Sequence, residues 1–194
     1  MGKIMKTLVV FLFLSSFVFA QPISLGEDVP TDQATTSSAK YNYISKAGPS
    51  GFSGYIDSVV VGFQTVSGDS AIIFTADSTG PLTYKIVDLA KIYVYTGTIA
   101  EYSANFPVGS DQYIKRLKVN PFSFLGFHNI AGKKIEYSND GNYSGVDYLY
   151  NVDPIAGENM TMTATNATNN VYLLGFGQAQ SLKEFKTFNG FKGF

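Results

Sequence analysis

The chain has 194 residues, of which 45% are hydrophobic and 15% charged, and its formal net charge at pH 7 is −1. This composition excludes a disordered chain, which needs low hydrophobicity and high charge, and it provides no basic surface for nucleic acid. Because there are no cysteines and a single histidine, disulfides, thiol nucleophiles and the usual zinc ligand sets are excluded as well.

Residues 1–20 have the order of charge and hydropathy that is typical of a secretory signal peptide. Lys3 and Lys6 precede an apolar run over residues 8–19, and small residues stand at the expected cleavage point. The run is too short to span, as a helix, a hydrocarbon layer of about 30 Å. We therefore expect a secreted, extracellular protein that begins near Gln21 and keeps no stable membrane span after the leader is removed. A short membrane anchor or a buried helix is the alternative.

Residues 21–53 are predicted to form a polar, extended N-terminal arm. Residues 31–40 are poor in apolar side chains, and residues 48–54 are rich in turn-forming Gly, Ser and Pro. The pattern indicates one short strand in this arm, at residues 40–45.

Residues 54–180 are predicted to form a single all-β domain, an antiparallel β-sandwich or jelly roll of about eight to ten strands. Short apolar runs with period-two alternation follow one another between turns, and no long segment has helical periodicity. Residues 56–66 and 71–75 are separated by a Ser-Gly-Asp-Ser turn and therefore predict a hairpin. The connections are too short for crossover helices, which argues against a parallel sheet.

Residues 181–194 are predicted to be a short helix or a phenylalanine-rich tail. Ser181 and Glu184 have capping-box spacing, and Gly190 would end such a helix. Phenylalanines recur at every third position: Phe185, Phe188, Phe191 and Phe194. If these rings are exposed, they predict contact with a partner.

Four tyrosines are candidate binding residues, because a flat ring with a polar tip suits both sugars and protein surfaces. They form two Tyr-x-Tyr motifs on predicted strands: Tyr93 with Tyr95, and Tyr148 with Tyr150. The alternative is that they are half-buried residues of the core or of a sheet edge. A glycan or another extracellular protein is the expected partner.

No catalytic residue, metal site or cofactor is predicted. His128 has apolar neighbours and no accompanying nucleophile elbow, so a structural histidine is the preferred interpretation. Many Asp residues stand in turns, where turn chemistry explains them. The oxygen-rich loop over residues 139–147 is compatible with calcium, but it lacks EF-hand spacing, and a hairpin turn is preferred there.

Three asparagines have the N-x-S/T context of glycosylation acceptors: Asn142, Asn159 and Asn166. In a host that glycosylates exported proteins, they predict an exposed flank of the domain.

Together these features predict a secreted, non-enzymatic β-domain that acts by surface contact, as a matrix, coat or adhesion component, with carbohydrate as one candidate ligand. The first alternative is a small secreted hydrolase of the glycosidase type that uses paired carboxylates. The second is a membrane-active β-toxin in which residues 160–168 form an inserting hairpin.

Overall fold

The computed structural model describes residues 21–28, 40–63, 69–94, 99–130, 135, 138, 143–167 and 170–180. The predicted leader and the predicted C-terminal helix or tail lie outside these residues, as do Tyr95 and Asn142. In chain order the described residues form twelve strands, which are Pro22–Glu27 (β1), Tyr41–Ser45 (β2), Gly54–Gly62 (β3), Asp69–Gly80 (β4), Thr83–Val94 (β5), Ile99–Ser103 (β6), Leu117–Val119 (β7), Ser123–Asn129 (β8), Val146–Tyr150 (β9), Asn159–Thr161 (β10), Ala164–Asn166 (β11) and Leu173–Ala179 (β12).

The prediction of an all-β, sandwich-like antiparallel fold is confirmed, and no helix occurs in the described ranges. The strands form two sheets. One has five strands, in the order β1-β12-β3-β6 with β7 also paired to β3, and the other has seven, in the order β10-β5-β4-β8-β2-β9-β11. The twelve strands exceed the expected eight to ten in part because β1 was not predicted and because the run over residues 160–168 contains two strands of three residues, one of them beginning at Asn159, instead of one strand.

The main hydrophobic core lies between the two sheets. Leu25 of β1 and Val61 of β3 contribute to it from the five-stranded sheet, and Phe127 of β8 contributes from the seven-stranded sheet. All three side chains are fully buried, and the ring of Phe127 lies 5.9 Å from that of Phe63. Strands of both sheets thus bury residues against the opposing sheet, which is the packing of a β-sandwich.

A second, smaller core lies on the other face of the seven-stranded sheet. Only two residues separate β10 from β11, yet β10 pairs with β5 and β11 pairs with β9, at opposite edges of that sheet. The sheet therefore curls into a half-barrel whose edges approach each other. The residues enclosed on its concave face are Ile44, Phe74, Ala76, Tyr84, Ile86, Leu149, Met160 and Met162.

Residues 151–158, which we call the strap, connect β9 to β10 across the concave face. Near its start, the side-chain amide of Asn42 on β2 donates a hydrogen bond to the carbonyl of Val152 at 2.6 Å. Near its end, the amide of Gly157 donates to the carbonyl of Ile86 on β5 at 2.8 Å. The strap is thus attached to strands on both sides of the half-barrel.

The predicted hairpin of residues 56–66 with residues 71–75 is wrong. β3 pairs with β12, β6 and β7 in one sheet, whereas β4 pairs with β5 and β8 in the other. The chain therefore passes from one layer to the other between β3 and β4. Turn residues mark a reversal of the chain, but they do not distinguish a hairpin from an arch between two sheets.

The predicted polar arm at residues 21–53 contains two strands of the sheets. β2 corresponds to the short strand expected at 40–45, whereas β1 was not predicted. Ile23 and Leu25 of β1 are buried in the main core, and Ser24 between them is exposed. This alternation covers only six residues, and the polar composition of the following segment concealed it.

Candidate functional site

Two Tyr-x-Tyr motifs lie side by side on the neighbouring strands β2 and β9. In the antiparallel register, Tyr41 is opposite Tyr150 and Tyr43 is opposite Tyr148. Because side chains alternate between the two faces of a strand, all four rings project from the same face of the sheet. We call these four residues the tyrosine quartet.

The rings of the quartet are packed against one another. The Tyr41 ring centroid lies 5.0 Å from that of Tyr150, 6.4 Å from that of Tyr148 and 5.9 Å from that of Tyr43. These separations lie within the range in which aromatic pairs attract each other, about 4.5–7 Å. The quartet is therefore a contiguous aromatic surface.

The exposure of the four rings increases from the core to the surface. Tyr43 is 8% exposed and belongs to the main core, whereas Tyr41 and Tyr148 are half-buried and pack against that core. Tyr150 is 55% exposed. The inner rings thus hold the outer ring in place, so a ligand that stacks on Tyr150 meets a ring that is already ordered.

Two polar residues flank the exposed end of the quartet. Lys40 and Asn151 both adopt left-handed backbone conformations, with φ of 66° and 62°. The amide of Asn151 donates to the carbonyl of Lys40 at 2.8 Å, which ties the ends of β2 and β9 together. Both side chains are exposed. An ammonium group and a carboxamide therefore lie beside Tyr41 and Tyr150 in the chain, as donors for a polar ligand.

The four predicted binding tyrosines do not form one site. Tyr148 and Tyr150 belong to the quartet, and Tyr95 lies outside the described residues. Tyr93 is 43% exposed on β5, which three strands separate from β9. Its neighbours Ile92 and Val94 point into the main core, so Tyr93 projects from the opposite face of the sheet.

The two inner members of the quartet on β2, Tyr41 and Tyr43, were not predicted from the sequence. The signal was present, because residues 41–43 repeat the Tyr-x-Tyr pattern of residues 148–150. What the pattern does not contain is the pairing of β2 with β9, which joins residues more than a hundred positions apart.

A buried carboxylate lies on the concave face of the half-barrel. Asp147 on β9 is 2% exposed and accepts a hydrogen bond from the Tyr84 hydroxyl of β5 at 2.5 Å. The ammonium group of Lys46 lies 3.8 Å from its other oxygen. Burial, together with the adjacent carboxylate, raises the pKa of Tyr84 well above its ordinary value. The pair therefore links β5 to β9 across the half-barrel, with the Tyr84 hydroxyl as the donor.

His128 is also buried on the concave face, at 1% exposure, and both of its ring nitrogens have partners. Nδ1 lies 3.0 Å from the side-chain oxygen of Asn42, and Nε2 lies 3.2 Å from a carboxylate oxygen of Asp153 in the strap. The Asn42 amide nitrogen donates to the strap, so its oxygen must face the imidazole, and Nδ1 is the donor. The Nδ1–Asn42 hydrogen bond gives His128 a structural role, because it orients the Asn42 side chain that donates to the strap.

The protonation of His128 determines its contact with Asp153. Burial lowers the pKa of His128 below its ordinary value, although the Asp153 carboxylate acts in the opposite direction. In the neutral imidazole, whose proton is on Nδ1, the lone pair of Nε2 faces the carboxylate. Only the protonated ring donates to Asn42 and Asp153 together.

Several other carboxylates are engaged in separate polar contacts. Asp57 bonds to Arg116 at 2.5 Å, and Asp88 accepts a hydrogen bond from Lys115 at 2.7 Å. Among the described residues, no group of three or more His, Asp or Glu side chains could hold a metal ion. Asp147, the one described acid of the loop considered for calcium, is turned toward Tyr84.

The two predicted glycosylation acceptors that the structure describes lie on the two edge strands of the half-barrel, which stand at opposite ends of the strand order. Asn159 is exposed at the start of β10, and Asn166 is half-buried at the end of β11. Residues 160–168, in which the toxin alternative placed an inserting hairpin, contribute to these two strands, which pair with different neighbours and not with each other. Their use as acceptors remains a prediction.

Comparison with known proteins assigns no family, because no family model, curated protein or solved structure matches this chain. In the ranges that the structure describes, no helix has the length and apolar character needed to cross a membrane.

Proposed function

We propose that the protein is a secreted, non-enzymatic β-sandwich domain that binds carbohydrate by surface contact, and that Tyr150 is the central contact residue. The observation that carries this proposal is the packing of the quartet. Tyr150 stays 55% exposed although the Tyr41 ring lies only 5.0 Å away, so the ring is both accessible and held in place.

The chemistry of the site favours a sugar. One face of a pyranose ring is lined by C–H groups that pack against an aromatic face, and its hydroxyls require donors and acceptors at the rim. Tyr150 supplies the aromatic face, and the exposed side chains of Lys40 and Asn151 supply donors. A signal-peptide-like leader supports a location where extracellular glycans are present.

The site is expected to bind weakly, because it is one exposed ring at the end of a strand rather than a deep pocket. Shallow aromatic sites gain useful strength when several copies engage a polymer at once. A repeating polysaccharide or a dense glycan surface is therefore a better ligand class than a free monosaccharide.

A glycan array probed with wild type, Tyr150→Ala and Tyr93→Ala tests the proposal. The two tyrosines have similar exposure and lie on opposite faces of the same sheet, so Tyr93→Ala is a matched control. We expect signals with wild type and with Tyr93→Ala, and a loss of about tenfold or more with Tyr150→Ala, as for removal of a central aromatic contact. No signal at high protein concentration, or equal losses in both variants, would refute glycan binding through Tyr150.

The non-enzymatic part of the proposal has its own test. Glycans that give a signal on the array are incubated with the protein in solution and assayed for new reducing ends. We expect them to be recovered intact. Release of reducing sugar that a single Asp or Glu substitution abolishes would instead identify a hydrolase.

A further inference from the structure

Two exposed phenylalanines lie in adjacent loops at one end of the sandwich. Phe52 is 48% exposed, and Phe122, in the turn between β7 and β8, is 70% exposed. Ser50 joins the loops, since its amide donates to the carbonyl of Ser123 at 2.9 Å and its carbonyl accepts from the amide of Phe122 at 2.6 Å. We call Phe52 and Phe122 the aromatic tip.

Hydrogen bonds hold both loops of the aromatic tip. The hydroxyl of the buried Ser50 donates to the carbonyl of Phe52 at 2.5 Å. On the other side, the Asp77 carboxylate accepts hydrogen bonds from the side-chain amide of Asn120, at 2.9 Å, and from the Ser123 hydroxyl. The two rings are therefore presented from an ordered base.

Phe122 occupies a backbone conformation that does not favour it. In the turn closed by the Ser123 amide and the Asn120 carbonyl, it follows Pro121 with a φ of 71°, a position where type II turns place glycine. The β4–β5 turn has a similar arrangement, with Leu82 at a φ of 56°, but Leu82 packs against the second core. Packing against the second core accounts for the unfavourable backbone conformation of Leu82. Phe122 is 70% exposed, so packing among the described residues does not account for its conformation. A strained and exposed ring of this kind points to a contact.

The chain itself provides an apolar segment at this place. After β12, the amide of Gln180 donates to the carbonyl of Ser53 at 2.8 Å, directly beside Phe52. The following fourteen residues, 181–194, contain four phenylalanines. Five extended residues span up to about 17 Å, so the chain from Gln180 to Phe185 is long enough to return to the loop of Phe52, which Gln180 adjoins.

Charge also favours this segment. Residues 181–194 carry three lysines and one glutamate, a net charge of +2, whereas residues 21–180 carry nine basic and fourteen acidic residues, a net charge of −5. The segment is thus attracted to the domain as well as apolar.

We propose that residues 181–194 dock on the aromatic tip of their own chain, with their phenylalanines covering Phe52 and Phe122. The attachment at Gln180 makes this contact intramolecular, and a short tether gives an effective concentration in the millimolar range. A second copy of the chain would have to compete with that concentration. This inference does not depend on glycan binding, because it involves neither the quartet nor the strap.

Disulfide trapping tests the contact, since the natural chain has no cysteine. The full chain carries Thr187→Cys together with either Gly51→Cys or Val108→Cys. A Cβ at Gly51 meets no atom within 4 Å, so the cysteine beside Phe52 leaves both rings of the tip unchanged. Val108, 83% exposed in the loop between β6 and β7, is the control. Mild oxidation is followed by non-reducing electrophoresis under dilute conditions.

We expect the Gly51→Cys pair to form an intramolecular disulfide at least about ten times faster than the Val108→Cys pair, because docking holds position 187 close to the tip and raises the effective concentration of its thiol there. Adding Phe52→Ser and Phe122→Asn should remove that advantage; asparagine tolerates the positive φ. Equal rates for the two pairs would overturn the proposal. So would disulfides that form mainly between chains, which would identify a second copy as the occupant.

Discussion

The substitution Gly126→Ala tests the second core directly. Gly126 lies on β8, opposite Phe74 of β4, and the Phe74 ring occupies the space that a side chain at Gly126 would take. A Cβ at position 126 would lie 2.2 Å from the Phe74 ring, whereas ordinary contacts begin at 3.4 Å. The ring would have to shift by roughly 1 Å inside a packed core, and overpacking of this kind costs about 1–3 kcal/mol.

Urea denaturation followed by far-ultraviolet circular dichroism measures that cost. We expect Gly126→Ala to lose about 2–3 kcal/mol of unfolding free energy, and Gly51→Ala, the control in open space, to change it by less than about 1 kcal/mol. Phe74→Leu should partly rescue Gly126→Ala, with a coupling energy of about 1–2 kcal/mol in a double-mutant cycle. If Gly126→Ala is as stable as wild type, or if the two substitutions are additive, the half-barrel interior is not packed as described.

Two further predictions concern the polar groups of the half-barrel. Tyr84→Phe should destabilise the protein by about 1–3 kcal/mol, because it leaves the buried Asp147 carboxylate without its hydroxyl donor. Tyr93→Phe, at an exposed tyrosine, is the control and should change the unfolding free energy by less than about 0.5 kcal/mol. The same urea titrations measure both changes. An NMR titration follows the imidazole signal of His128, the single histidine, and we expect a pKa below 6.5. In Asp153→Asn the pKa should fall further, because the substitution removes the carboxylate that favours the charged ring. With a lowered native pKa for His128, the unfolded chain binds protons more readily than the folded one, so the unfolding free energy should decrease as the pH falls from 6.5 through the native pKa. A native pKa above 6.5, with stability that rises on acidification, would contradict burial as the main cause of the shift.

The alternation of apolar and polar residues was sufficient to predict the fold class. Period-two patterns specify which residues of a strand share a face, and β9 shows this well, with Asp147 and Leu149 on the concave face and Tyr148 and Tyr150 on the other. The pattern does not specify the partner of each strand. The separation of β3 and β4 into different sheets depends on packing between distant segments, which local turn chemistry does not report.

The candidate site was predictable in part for the same reason. Tyr148 and Tyr150 were identifiable as a Tyr-x-Tyr motif, and an equivalent motif occurs at residues 41–43. Their union into one surface requires β2 to pair with β9 in a register that places Tyr41 opposite Tyr150. Tyr93 also belongs to a Tyr-x-Tyr motif, but its side chain projects from the opposite face of the sheet, because Ile92 and Val94 are the residues that its strand buries in the main core. Which exposed tyrosines act together is therefore a property of the sheet order.

The most direct test of glycan binding by the quartet is an NMR titration of protein labelled with ¹³C on its tyrosine rings, using soluble oligosaccharides of the classes that give array signals. We expect ring chemical-shift changes at Tyr150, with smaller changes at Tyr41 and Tyr148 and none at Tyr93. Saturable changes centred on Tyr93, or binding that leaves the signals of the quartet unmoved, would contradict the proposed site.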